Sequence, residues 1–518
     1  MPRSLLLAAA LLVTTPLFAQ TFQTEDPVIR DMWRVGVEES QTRQLAHVLM
    51  DQIGPRLAGS EGLEAAQDWL LETYDSWGIE AEKQEIGTWM RWKPGSLHID
   101  MVSPRVTSLE AEIKAWSPGT NGPVRGTVVL LPAIGEDTEA WLAGIKGKFV
   151  MISAPEEMCR AKQELEALAS PGTIERLAER KLVTEREAER RMLALTGPVN
   201  PREIANLTAA VLDKAGAAGT IESRWSGGWG VNKVFGTNNT RAVAIDVSCE
   251  DYGLMYRLIS GGDEVEIEVD AQAELQGEVP QFNVVAQLTG TELPNEYVLL
   301  GAHLDSWHAA TGATDNGTGS ITMLEAMRIL KATYPNPRRT ILVGHWANEE
   351  AGLIGSSAFR EDHPEMLDGI QAAFNQDNGT WAFERIEGQG FADAASHIPA
   401  WAAAMPKDFS DRILLEMPGP QANSGSDHSS FVCAGIPSFR LQSPYNEYRQ
   451  YTWHTNRDTY DKIVFDDLAD NATVAAMMAY MASEDPTRVG REKATLPQVR
   501  GPARSWPECR PARRTSGR

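Results

Sequence analysis

The sequence predicts an α/β fold: a mostly parallel central sheet covered by helices on both faces, with an inserted β-rich domain. Three observations lead there. From about residue 282 onward, short apolar runs alternate with segments of helical period. Those runs ("EYVLLGAH", "RRTILVGHWA", "IQAAFNQD", "PSFRLQS") are nearly continuous in apolar residues, as strands buried on both faces are. Between about 113 and 265 the rhythm breaks into shorter strand-like runs around a charged helix, so that stretch reads as a separate insertion.

The elements follow in order. The opening "MPRSLLLAAALLVTTPLFAQ" has Arg3, an apolar run from Leu5 and the small residue Ala19, a pattern that reads as a signal peptide over 1–19. Such a run is too short to cross a bilayer, so a secreted or periplasmic location with no membrane span after cleavage is expected. Two amphipathic helices follow between 37 and 82, "QTRQLAHVLMDQI" and "LEAAQDWLLETYDSWGI", separated by "GPRLAGSEG". Within the insertion, "GTVVLLP", "GKFVMIS" and "RAVAIDVS" are strand-like, and "ERLAERKLVTEREAERRM" reads as a solvated helix laced with i, i+4 charge pairs. The main rhythm then resumes with "FNVVAQLTG" and "EYVLLGAHLDS" around the hairpin-like "TELPNE". Helices are expected at "GSITMLEAMRILKATY", "IGSSAFREDH", 429–434 and "LADNATVAAMMAYMAS", alternating with the remaining strands. From 486 to 518 the chain is basic and rich in Pro and Gly, which reads as a disordered tail.

Net charge of −23 excludes a nucleic-acid or anionic-membrane partner, which would require a basic face. Four cysteines without C-x-x-C spacing indicate neither a thiolate metal site nor a disulfide framework. Cys159 with Cys249 is the one candidate bridge, and Cys433, in an apolar stretch, reads as a core residue.

Sites in open α/β sheets form at the carboxyl ends of strands. His303 closes "YVLLGAH", the adjacent Glu349 and Glu350 close "TILVGHWANEE", and Asp377 closes "IQAAFNQD". Asp315 lies twelve residues beyond His303 at the mouth of a helix, where a plain helix cap is the competing reading. His454, in "YTWHTNRDTYDKI", completes two His, two Asp and two Glu. Two like charges at a buried strand end need a cation nearby. A nitrogen and oxygen donor set without thiolate suits Zn2+, with Co2+ or Mn2+ as substitutes, and several carboxylates suit a pair of metals sharing one ligand.

Through "HLDSW", "ATDNGTGS", "NEEAGLIGS", "NQDN", "SGSDHSSF" and "YTWHTNRDTYD", in this order and spacing, the chain resembles the M28 family of co-catalytic zinc peptidases over about residues 35–485. The resemblance implies a zinc-exopeptidase fold whose peptidase domain is discontinuous, 20–112 and 266–485, around a protease-associated domain at 113–265. It further implies two Zn2+: Asp315 bridging, His303 and Asp377 on one metal, Glu350 and His454 on the other, and Glu349 as the catalytic base. Asp305, two residues after His303, is expected to accept the free imidazole N–H. Asp427 falls in a pocket-wall segment. Trp453 stands where some members have an oxyanion-stabilising Tyr, so that donor is left among Trp453, Tyr445, Tyr448 and Tyr451.

The expected activity is exopeptidase hydrolysis of short peptides, of aminopeptidase, carboxypeptidase or dipeptidase type, with a homodimer left open. The rivals are a one-metal glutaminyl cyclase-like acyl transferase and a receptor-like relative that has lost the chemistry.

Overall fold

The computed structural model describes residue 22 and residues 24–419, 425–494 and 506–517. The expected signal peptide, 1–19, lies outside the described residues.

Four parallel neighbours form the middle of the sheet, in the order Ser438–Gln442, Ile370–Asn375, Leu293–His303 and Arg339–Trp346. Every residue of Arg339–Trp346 and Ile370–Asn375 is buried, which accounts for their unbroken apolar runs. Side chains alternate between two layers. Leu299, Leu342 and Ala373 pack with Phe359 and Phe431 on one face. Val298, Leu300, Ile341, Val343 and Phe374 face the cluster that includes Leu324, Met327, Met477 and Met478 on the other. The latter residues belong to the helices Thr318–Thr333 and Phe465–Glu484, which pack against each other. Because the strands are parallel, their carboxyl ends share one rim, with His303 paired to Trp346 in register.

Beyond Arg339–Trp346 the sheet turns antiparallel through Glu266–Leu288, which pairs along almost its whole length with Glu80–Ser103. This ribbon runs from the central sheet to the stretch 113–265, where Val124–Leu130 pairs with it and the strands Phe149–Met151, Gly219–Glu222 and Val243–Val247 follow in parallel. The stretch is not β-rich: the single helix Thr173–Thr196, 24 residues long, holds more residues than its short strands together. The excess of helix comes from the charged segment, which buries only Met192 and pairs Arg191 with Glu187 and Lys181 with Glu185 at i, i+4.

Two disulfides join Cys159 to Cys249 and Cys433 to Cys509. The second corrects the reading of Cys433 as a plain core residue. It also bears on the segment expected as a disordered tail. Val489 and Gly490 donate their backbone N–H to Gln371 and Asp393, at 3.1 and 2.8 Å. Residues 506–517 lie on the body of the protein, where Arg514 meets Asp362 and Glu361. Composition read those arginines as solvated; acidic partners about 150 residues away in sequence, which composition does not reveal, hold them instead.

Candidate metal centre

His303 and Asp377 follow neighbouring parallel strands, so the sheet alone brings them together: His303 Nε2 lies 3.1 Å from Asp377 Oδ1. Asp315 reaches the same point from a tight turn. Gly312 before it has φ 60°, and a Cβ there would stand 2.2 Å from Ser306 Cβ, so the turn requires glycine. Asp458 then accepts the backbone N–H groups of Thr314 and Asp315 at 2.8 and 3.0 Å. The buried Arg56 guanidinium donates to the carbonyls of Leu304, Thr311 and Gly312.

The result is a bridge-like placement of Asp315. Its Oδ1 is 3.5 Å from His303 Nε2 and its Oδ2 is 3.3 Å from His454 Nε2, which in turn is 3.0 Å from Glu350 Oε2. His303, Asp315 and Asp377 form one potential metal-holding group, and Asp315, Glu350 and His454 form a second. Within each group the candidate ligand atoms lie within 4.8 Å of one another.

Electrostatics bear on whether cations fit. Burial, aided by Asp315, holds the Glu350 carboxyl well above the usual carboxylate range. Glu349 is pushed the same way by burial, against His303 and with Asp377 and Asp427. Burial also raises Asp427 to about 7. Burial opposes charging His303, but Asp377 and the other carboxylates outweigh it and raise its pKa well above normal; burial lowers His454 to about 4. Glu350 Oε1 has no hydrogen-bond partner among the described residues. An orphaned buried oxygen among crowded carboxylates is what divalent cations would satisfy, and the donor types fit zinc.

Glu349 belongs to neither group, although it lines the same cavity. Its backbone N–H and that of Glu350 donate to the two oxygens of Asp305, at 3.0 and 3.2 Å. That corrects the expected part of Asp305. The His303 Nδ1 contact is to the Asp305 backbone carbonyl, at 3.0 Å, while the nearer carboxylate oxygen is 3.6 Å away because it is turned toward the glutamate loop. Asp427 is fully buried and its charge acts on Glu349. Trp453 stacks on His454 at 3.9 Å between ring centroids, with the Lys233 and Arg449 cations over its own ring. Four further histidines belong to neither ligand group: His308 meets the Ile113 carbonyl, His345 the Tyr74 hydroxyl and His363 the Gln84 amide, while both ring nitrogens of the buried His428 have no hydrogen-bond partner among the described residues.

Several contributors were not singled out in the sequence. Trp307 donates its indole N–H to Glu350 Oε2 at 2.9 Å. Asp458 and Arg56 shape the Asp315 turn. Phe235, from the 113–265 stretch, packs on His454 at 5.0 Å, and the neighbouring Val234 N–H donates to the His454 carbonyl at 2.8 Å. Trp307 and Asp458 lie inside motifs already quoted, "HLDSW" and "YTWHTNRDTYD", but nothing local marks their use. A cavity of about 660 Å³ opens over the ligand groups, with Tyr445, Tyr448 and Trp453 on one wall.

Fold and site together define a metallopeptidase: acidic and imidazole side chains gathered at the carboxyl rim of a parallel sheet beneath a peptide-sized cavity. The model of Peptidase family M28 matches residues 283–479, which carry the five residues of the two groups together with Glu349. Carboxypeptidase Q of Rattus norvegicus is 26% identical over 451 residues, covering 87% of this chain and 86% of that protein. Leucine aminopeptidase 1 of Coccidioides posadasii (strain C735) is 31% identical over 218 residues, 39% of this chain and 55% of that protein. Among solved structures, a peptidase M28 precursor from Shewanella amazonensis SB2B superposes with a TM-score of 0.65 at 24% identity, covering 89% of this chain and 97% of that one. BSAP, a zinc aminopeptidase from Bacillus subtilis, does so with 0.55 at 18%, covering 87% and 96%. At these identities the two structures speak for the fold.

Proposed function

We propose that the protein is an exported di-zinc exopeptidase that hydrolyses short peptides near a free terminus. The observation that carries this is Asp315, whose two oxygens face two separate histidine and carboxylate groups. His303, Asp315 and Asp377 would hold one Zn2+, and Asp315, Glu350 and His454 the other. Bound there, the ions supply Lewis acidity and a water acidic enough to deprotonate near neutrality.

Glu349 is the free carboxylate beside both groups, so it takes the proton of the attacking water and passes it to the leaving amine. Asp305 fixes the backbone of Glu349 and Glu350 together, which keeps proton acceptor and ligand in a constant relation. Tyr448 is the best-placed oxyanion donor. It is buried, lines the cavity and carries a phenol whose pKa burial raises well above normal, so it keeps its proton. Tyr451 does not line the cavity, and the hydroxyl of Tyr445, which does, already accepts from Arg440.

Export rests on the 1–19 pattern and suits two disulfides, which persist in oxidising compartments. No helix among the described residues is long and apolar enough to cross a membrane. At this net charge nucleic acid is not a partner. Elemental analysis of active protein should find about two zinc ions per chain, as the ligand groups require, with activity lost to a chelator. Active protein with no bound metal overturns the reading. Mass spectrometry of products from free, N-blocked and C-amidated versions of one peptide then identifies the terminus that is read.

A further inference from the structure

The cavity over the ligand groups is closed on one side by an unexpected part of the chain. Pro507, Glu508, Arg510 and Pro511 line it together with Asp315, Glu349, Glu350, Asp377 and His454. These four residues belong to the strap 506–517, which runs across the surface beside the helix His428–Val432 and on to the antiparallel ribbon.

The strap is anchored before, within and after the lining residues. Trp506 donates its indole N–H to the Val432 carbonyl at 2.8 Å and packs on Phe391. Cys509 is bonded to Cys433, immediately after that helix. Arg360 donates to the Arg510 carbonyl at 2.8 Å, and the Ala512 N–H donates to Glu361 at 2.8 Å. Arg514 pairs with Asp362, and its carbonyl accepts from Thr88 N–H at 2.8 Å. The passage is close enough there that a Cβ on Gly87 would stand 2.3 Å from the Arg514 carbonyl oxygen. Two prolines with fixed φ stiffen the lining stretch. Such a segment is a wall, not a loose tail.

We propose that this strap is the substrate-length gauge of the enzyme: it bounds the cavity so that short peptides are accommodated and longer chains are blocked. The proposal rests on the exopeptidase reading above and adds what limits its substrates. A sphere of about 660 Å³ is about 11 Å across, the reach of roughly three extended residues at 3.3–3.6 Å each, whereas an octapeptide runs to about 27 Å.

The test is a ladder of free peptides from two to eight residues of one repeating composition. It is given to zinc-loaded wild-type protein, to a variant lacking 506–518, and to full-length C509S/R514A, which removes the covalent tie and the Arg514 ion pairs with Glu361 and Asp362 and serves should the deletion not fold. In wild type, kcat/KM should fall at least about tenfold from tripeptide to octapeptide; in the variants the octapeptide-to-dipeptide ratio should rise about tenfold, with zinc content unchanged. An unchanged ratio in a zinc-replete variant overturns the proposal, as does a wild type that cleaves octapeptides as readily as tripeptides. No hydrolysis of any peptide by zinc-loaded wild type overturns the exopeptidase reading itself, and the gauge with it.

Discussion

Glu349 and Glu350 are adjacent, both pushed upward by burial and both held by the same Asp305, yet only Glu350 lies with Asp315 and His454. Their substitutions should therefore differ in kind. Glu349→Gln keeps shape and removes the proton acceptor, so zinc should stay bound while turnover falls by roughly 10²- to 10⁴-fold. Glu350→Gln removes a charged ligand, so one zinc should be lost on dialysis and excess zinc should restore part of the activity. Tyr448→Phe should lower kcat with metal retained. Metal analysis beside kinetics separates all three, and a Glu349→Gln protein that loses zinc while Glu350→Gln keeps both ions reverses the assignment. The convergence of His303, Asp315, Glu350, Asp377 and His454 was legible because each closes an apolar run or lies within a motif beside one. Asp458 was not, since its two hydrogen bonds to the Asp315 turn span 144 and 143 residues. The Asp305 carboxylate was misjudged for a similar reason. H-x-D spacing places it near the imidazole, but the competing backbone donors at 349 and 350 belong to another strand end.

At the scale of elements, the parallel strands were readable from their unbroken apolar runs, and the helices between them from periodicity. The use made of the 113–265 stretch was not. Its segment 232–235 runs beside the loop that carries His454: Val234 N–H bonds the His454 carbonyl, Asn456 N–H bonds the Asn232 carbonyl, and Asn456 Oδ1 accepts from Asn232 N–H. Phe235 packs against both His454 and Trp307, the residue that bonds Glu350. His454 itself has φ 61°, a conformation that a non-glycine residue keeps only where its surroundings impose it. Phe235→Ala removes the aromatic packing without touching a ligand. It should weaken the second zinc about tenfold or more while leaving the His303 and Asp377 ion in place. Competitive chelator titration reads this as one zinc per chain released early, and equal release of both ions would assign Phe235 to general stability.

Across the whole molecule, the acidic composition and buried carboxyls, Asp246 among them, make stability depend on pH in a defined direction. Asp246 is fully buried beside Glu222, which Lys114 and Arg224 keep ionised against burial, at about 2. Burial first, and then the Glu222 charge, raises Asp246 to about 8, and its Oδ2 has no hydrogen-bond partner among the described residues. The folded protein therefore retains a proton that the unfolded chain releases near the ordinary Asp value. The stabilising contribution is full below about pH 4 and is lost as pH rises toward about 8. Rising pH also adds to the repulsion within a chain of net charge −23. Salt separates the two effects, because it screens surface repulsion and leaves a buried carboxyl largely untouched. Asp246→Asn keeps the neutral form at every pH. In high salt, wild-type Tm should decline between pH 5 and 8.5 and the variant should decline less. Parallel curves for the two proteins would mean that Asp246 ionises in the folded state near its ordinary value, with the neighbouring Lys114 and Arg224 outweighing burial there as they do at Glu222.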